Sequence, residues 1–401
     1  MLRTFRQNRP GFASVMAVGA AVLLFIIGVG LLTLGFNRRL FSIRSNHQLA
    51  ARCAVDYAIT KAVHEMNLRL PSVGTSNLPA ADNNAIPGSG AKYSYTVTYD
   101  AAKYPPYSIT AQGTSGHITK TVLCDLRLKG IFEYAILTKN TLDIGSVSTV
   151  DCNGCGSLPL KIGPTNNPSA DAEIILKPNS VVNGDILLGQ GGTPSVVIGS
   201  GATYGDIYAV ATDFDLPNPE VPTYLLGASS SGVINNTTPN PASGKYDSIS
   251  LHTNKILNII GNVELYITGD ITLNTNSSIF IDPNSKLTIY LLGSFYGHTG
   301  AGFNDVGDPS KLTLYGVPTL NEDGSYTSGN ITINNSGSFC GTIYAPNADV
   351  VLNNAVQIYG SVIANNYTQN NSVKFTYEAN LRKVRMEDAL VRFVPKHWRE
   401  L

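Results

Sequence analysis

Val182-Asn183-Gly184-Asp185-Ile186 and, 21 residues later, Thr203-Tyr204-Gly205-Asp206-Ile207 are two copies of one short phrase. It recurs as Ile267-Thr268-Gly269-Asp270-Ile271, Phe339-Cys340-Gly341-Thr342-Ile343 and Ile358-Tyr359-Gly360-Ser361-Val362, the last two glycines 19 residues apart. Spacings near 20 residues mark repeat architectures in which each unit buries its apolar side chains against its neighbours. Short runs such as Glu173-Ile174-Ile175-Leu176, Ser195-Val196-Val197-Ile198, Leu287-Thr288-Ile289-Tyr290-Leu291 and Asp349-Val350-Val351-Leu352 lie between the phrases and end at Asn, Gly or Pro turns. Alternate Val, Ile and Leu then face inward, while corner Asn and Ser satisfy turn backbone groups. Residues 131–381 therefore read as a right-handed parallel β-solenoid; a β-sandwich with chance glycine phrases is the competing reading. Five prolines among Ser, Asn and Gly make 213–247 an excursion off the ladder.

Composition narrows the function classes. The 401 residues carry 28 basic and 28 acidic side chains, 43% are hydrophobic and 14% charged. Zero net charge removes the bulk attraction that binding to nucleic acid would need. Residues 131–381 hold 8 lysines against 20 acids and no arginine, so this stretch offers no guanidinium fork for phosphate or carboxylate. Five cysteines are too few for a disulfide scaffold, and their odd number leaves one unpaired.

The front of the chain has a different character. Phe12 to Phe36 is a run of 25 residues without a formal charge, bracketed by Arg3, Arg6 and Arg9 before and Arg38, Arg39 and Arg44 after. As a helix it reaches roughly 37 Å, enough to cross a hydrocarbon core of roughly 30 Å. Its length and its continuation into Asn37-Arg38-Arg39 favour a retained anchor over a cleaved secretory signal. The pattern stays helical through Leu40, Ile43, His47, Ala50, Ala54, Ala58, Ala62 and Met66 until Pro71, giving an amphipathic extension over 37–70. After a Ser/Asn/Pro/Gly-rich connection, Tyr93–Tyr99, Tyr107–Gln112 and Ile118–Leu128 read as a small antiparallel meander within 71–130. The basic tail 382–401 reads as a cap or docking segment.

The leader 1–11, with Gly11-Phe12 opening the apolar run, resembles that of type IV prepilins, which implies cleavage after Gly11 and a new amino terminus at Phe12. Major pilins carry glutamate where this chain has Met16, so the resemblance is to a minor subunit. Gln48 to Ala58 is similar to the alanine-rich segment of PilX-type minor pilin proteins, with Arg52 and Ala54 as departures. Asp308–Gly316, Gly341–Val350, Gly360–Ala364 and Phe375-Thr376-Tyr377-Glu378 resemble the β-helical, polymer-forming-type domain of bacterial envelope proteins, with Thr376, Glu378, Ala379 and Asn380 as departures. The resemblance implies an inner-membrane single-pass anchor with an extracytoplasmic domain, reaching the cell surface or a pilus after processing. The implied partners are the membrane and other pilin-like subunits, with a surface glycan as a possible ligand and no nucleic acid.

Little of the sequence carries chemistry. β-Helices also serve as polysaccharide lyases and hydrolases, and a tethered polysaccharide-binding or polysaccharide-cleaving column is the alternative function. Asp185, Asp206 and Asp270 hold the same place in their phrases and, if the phrases stack in register, form an acid ladder able to bind calcium or a sugar, yet aspartates at corners ordinarily accept turn N–H groups. Cys152-Asn153-Gly154-Cys155 has redox or metal spacing, but without a second pair of ligands it reads as a loop disulfide in an oxidising compartment or as two solvent-near thiols. Cys53, Cys124 and Cys340 read as small core residues, and His298 as a loop residue. The expectation is a structural protein with no cofactor and no catalytic site.

Overall fold

The computed structural model describes residues 10–70, 77–103, 105–156, 158–165, 173–189, 195–209, 216–304, 307–382 and 391–401. The chain forms two compact units, 1–128 with 392–401 and 129–391, so the larger unit is inserted in sequence into the smaller. It is mainly β, with one long N-terminal helix, a small antiparallel sheet and a large parallel sheet.

In the smaller unit the helix runs unbroken from Pro10 to Leu68. Ala51, Ala54, Val55, Ala58, Ile59, Ala62 and Met66 are buried at 2% exposure or less, the three-and-four spacing of a single helical face. That face packs on the strands Lys92–Tyr99 and Tyr107–Ser115. The alanines let the backbones approach closely, and Gly113 completes the fit. A Cβ there would collide with Ala51 O and lie 2.7 Å from Val55 N and 2.9 Å from Ala54 Cβ.

The sheet has five strands where the sequence reads as three. Ala80–Ala85 adds an edge strand with no apolar pattern, because it pairs through backbone groups and faces solvent. Arg392–Glu400 lies beside Ile118–Lys129, so the tail expected as a cap or docking segment is instead the other edge of this sheet. It is pinned where Phe393 N donates to Asn67 Oδ1 (2.6 Å), and Lys120 pairs with Glu400.

The larger unit is a parallel sheet of 24 described strands around one apolar core. Through the middle of the ladder each strand pairs with the third one after it: Ile256–Ile259 with Ser278–Ile281, Asn262–Ile267 with Lys286–Leu291, Ile271–Leu273 with Phe295–Gly297. Three strands thus make one rung of the ladder. Alternation within a strand sends Leu287, Ile289 and Leu291 inward, and register places them on Val263, Leu265 and Ile267.

Rung order does not follow chain order. The strand Gln357–Gln369 carries Ile136–Thr138 and Leu142–Ile144 on its next rung, and Lys374–Glu378 pairs with Thr149–Asn153. The first-wound rungs therefore continue from the last-wound ones across an internal seam. One corner records this directly. Asn254, Asn276, Gly300, Ser336, Ala355, Ser372, Val147, Asn179 and Gly201 all have φ between 55° and 73°, and from Asn254 to Asn179 the N–H of each bonds the carbonyl preceding its neighbour at 2.9–3.2 Å. This file crosses the seam, between Ser372 and Val147, without a break in pattern.

Such an order requires the chain to travel back along the ladder. Leu216 packs on an outer cluster of Tyr134, Leu137, Leu187, Tyr315, Tyr344 and Ile363, and Tyr344 Oη donates to Pro217 O (2.7 Å). Farther on, Tyr224 bonds Glu264, three rungs away, a distance of roughly 14 Å at about 4.8 Å per rung. The excursion expected over 213–247 is correspondingly shorter, because Val233–Asn235 and Gly244–Tyr246 are strands of the large sheet. Prolines punctuate the return path without excluding these short strands.

Candidate functional site

The exposed half of the helix is the first functional feature. Val22, Leu23, Leu24, Phe25, Ile26 and Ile27 are each more than half exposed, and apolar side chains cover every face from Val15 to Phe36. The most apolar window has a mean hydropathy of 2.8 and none of it is buried, so the helix is long and apolar enough to cross a membrane. Burying those six side chains alone is worth on the order of 10 kcal/mol at roughly 1.5–3 kcal/mol each. Gly11 lies in the first turns of the helix, as does Phe12. The leader residues 1–9 lie outside the described residues.

The aspartates do not form one ladder. Asp185 and Asp206 share a corner, where Asp185 Oδ1 accepts the Asp206 N–H (3.1 Å). Asp270 Oδ1 accepts the Ser294 N–H (2.7 Å) at a different corner. Beside Asp185, the register file runs Ile186, Ile162, Ile136, Val362, Ile343, Leu314, Ile289, Leu265, so its counterpart in the rung of Asp270 is Glu264. The Gly-Asp-Ile phrase occurs at two of the three corners, which its spelling does not distinguish. Asp185 and Asp270 each tie their corner to the next rung. Among the described residues no group of three or more His, Cys, Asp and Glu side chains is placed to hold a metal.

Cys152 and Cys155 are joined as a disulfide at the end of the strand Thr149–Asn153. Cys124 and Cys340 are buried, and burial pushes the Cys124 thiol up to about 11. Cys53, expected in the core, is exposed, because the buried helical face passes through Ala51, Ala54 and Val55 on either side of it. His298 is exposed at a turn, its N–H bonded to Leu273 O.

Glu378 is the polar centre that sequence reasoning missed. It is 6% exposed, and its carboxylate accepts from Tyr359 Oη, from Asn153 Nδ2 (2.8 Å) and from Asn380 N and Nδ2 (3.2 and 2.7 Å). Burial opposes its charge, but the hydrogen bonds from Tyr359, Asn380 and Asn153 together outweigh this and hold the carboxyl below the usual range. Asn153 belongs to the first rung after the seam and Tyr359 and Glu378 to strands before it, so this cluster ties the seam shut. It borders a cleft of about 640 Å³ lined also by Lys286, Asp308 and Lys311. A carboxylate so saturated with donors is built to stay ionised and fixed, not to shuttle a proton. The available signal was the placement of this acid inside the closing Phe375-Thr376-Tyr377-Glu378 motif, directly after buried aromatic residues.

A family described as a domain of unknown function, DUF7305, matches residues 206–384, less than half of the chain. No curated protein matches it. Among solved structures, the competence-associated pilin ComZ from Thermus thermophilus is 13% identical, with 88% of this chain and 98% of that one covered, at a TM-score of 0.21. An ice binding protein from an Antarctic bacterium Flavobacteriaceae is 12% identical over 61% of this chain and 79% of that one, also at 0.21. Scores this low carry no argument about fold or function.

Proposed function

We propose that this chain is a pilin-like structural subunit of the PilX type, held by its N-terminal helix as a single-pass inner-membrane protein. The leader is cut between Gly11 and Phe12, and the freed helix passes from lipid into a bundle of sister helices in a pilus, pseudopilus or envelope assembly. Residues 129–391, wound as a right-handed solenoid, are carried outside the cytoplasm for assembly or adhesion, with a surface glycan as the candidate ligand, and perform no catalysis.

The observation that carries this reading is the division of one continuous helix. Its outer half is apolar on every face and unburied, while its inner half is committed along an alanine stripe to a β-sheet head. Such a rod needs a lipid or helical environment for one half and brings its own cover for the other. The Cys152–Cys155 disulfide supports an oxidising compartment for the large unit.

Mass spectrometry of the amino terminus of the native protein tests the reading. A chain beginning at a methylated Phe12 is expected. An intact Met1 start would leave a plain membrane anchor and remove pilin-type processing.

A further inference from the structure

Across 131–381 the sequence has no arginine, and the first one to follow, Arg382, is spent on the disulfide loop. Its Nη1 donates to Leu158 O (3.1 Å), and its Nη2 to Pro159 O (2.8 Å) and toward Cys155 Sγ (3.4 Å). The guanidinium also stacks 5.3 Å from the centre of the buried Tyr377 ring, which fixes it in place. Tyr377 in turn is the register partner of Cys152, and Glu378 that of Asn153. A fixed cation thus touches one sulfur of the pair and not the other.

Both cysteines are half-buried, and Asp151, Asn153, Gly154 and Gly156 around them are exposed. Gly154 and Gly156 put no side chain over the sulfurs, and both adopt positive φ (76° and 58°), so the loop turns tightly at the surface. This combination of a short Cys-x-x-Cys ring, open access and one sulfur beside a guanidinium has chemical consequences. A cation beside a sulfur favours its thiolate, and a better-stabilised thiolate is a better leaving group in disulfide exchange.

We propose that Cys152–Cys155 is a thiol–disulfide exchange site on the seam of the ladder, opened by a dithiol reductant, with Arg382 holding the departing Cys155 thiolate. The reductant's thiolate attacks Cys152 Sγ, a sulfur–sulfur bond forms there, and the Cys152–Cys155 bond breaks with its electron pair on Cys155. The reductant's second thiol, deprotonated, attacks its own sulfur in the mixed disulfide and releases Cys152 as a thiolate. The reductant leaves as a disulfide, having supplied two electrons; its two protons pass to the cysteines or to solvent. Arg382 is a positioning residue in this scheme, and Asn153, inside the opened ring, links the exchange to its hydrogen bond with Glu378.

The test uses the full-length protein in detergent, equilibrated with mixtures of reduced and oxidised dithiothreitol, with peptide mapping of alkylated Cys152 and Cys155. The wild type is expected to be reduced under native conditions, and Arg382→Met to need a reduced-to-oxidised ratio about tenfold higher, the effect of roughly one unit of thiol acidity. After reduction, Cys155 is expected to alkylate at lower pH than Cys152 in the wild type and to lose that advantage in Arg382→Met. Arg382→Lys should retain part of it, which separates charge from packing and serves as the readout if the methionine variant fails to fold. The proposal is overturned if the variants share the wild-type equilibrium and Cys155 pH profile, or if the pair is reduced only when denaturant unfolds the ladder.

Discussion

The two units solve the same problem, burial of an apolar face, by opposite means. The small unit brings backbones together: Ala51, Ala54 and Ala58 of the helix lie on a sheet that offers Gly113, so contact depends on the absence of side-chain bulk. The large unit keeps neighbouring strands at the ordinary sheet spacing and fills its interior with stacked Ile, Leu and Val, so contact depends on bulk repeated in register. The first arrangement is intolerant at a few points. The second spreads its tolerance along the ladder and concentrates its risk where the pattern is interrupted, at the seam.

The sharpest way to break the comparison is Gly113→Val. It places atoms where Ala51 O and Val55 N already lie, and is expected to cost at least about 3 kcal/mol, the upper end of overpacking penalties. Thermal unfolding followed by hydrogen exchange should show early loss of protection in 80–128 while 256–378 stays protected. Equal loss in both units would mean that the close approach is not a local dependency.

At the seam, Glu378→Ala leaves the donors of Tyr359, Asn153 and Asn380 without their acceptor and is expected to destabilise the large unit by about 2 kcal/mol in denaturant titrations. The pH dependence has a definite sign. The folded-state carboxyl sits below its usual range, so its contribution is present above the unfolded-state pKa and is lost as pH falls through the folded-state value. The wild type should therefore lose stability in acid, below the ordinary carboxylate range of about 4.3, and Glu378→Gln should lack that part of the loss. Parallel acid curves for the two proteins would count against the clamp.

The smallest expected effect has the opposite sign. Val147 is the one β-branched residue of its file, at φ 56° and 60% exposed, where five of the other eight rungs place Asn or Gly and the remaining three Ser or Ala. A left-handed conformation costs such a residue roughly 1–2 kcal/mol, which asparagine largely avoids, so Val147→Asn is expected to stabilise by about 1 kcal/mol. A fall in the melting temperature would show that the valine makes a contact worth more than its strain.

Much was legible beforehand, for identifiable reasons. The membrane-capable helix follows from an uncharged run longer than a bilayer is thick, the alanine stripe from helical spacing, and the parallel ladder from phrases that recur near 20 residues. Chemistry of this kind is local, or periodic, and periodicity survives in one dimension. The edge strand Ala80–Ala85 was not legible because it is paired through its backbone, which every residue possesses. The second edge, Arg392–Glu400, lies 263 residues beyond Lys129, the end of its partner strand, and no local pattern announces such a pairing.

The candidate site divides along the same line. Cys152 and Cys155 declared themselves by spacing, whereas Arg382 beside them did not, since it lies 227 residues further along. The three aspartates looked equivalent because they share a phrase, but a phrase specifies a corner and not which of three corners it is. By itself the chain determined its long helix, the central strands of the small sheet, the alternation along the ladder and its membrane-ready rod, all of which depend on neighbours a few positions away. Rung order, the seam, the Glu378 clamp and the guanidinium at the disulfide were decided only in three dimensions. Interchangeable parallel rungs of equal spacing leave the order of stacking to whichever return path buries the outer tyrosines and closes the seam.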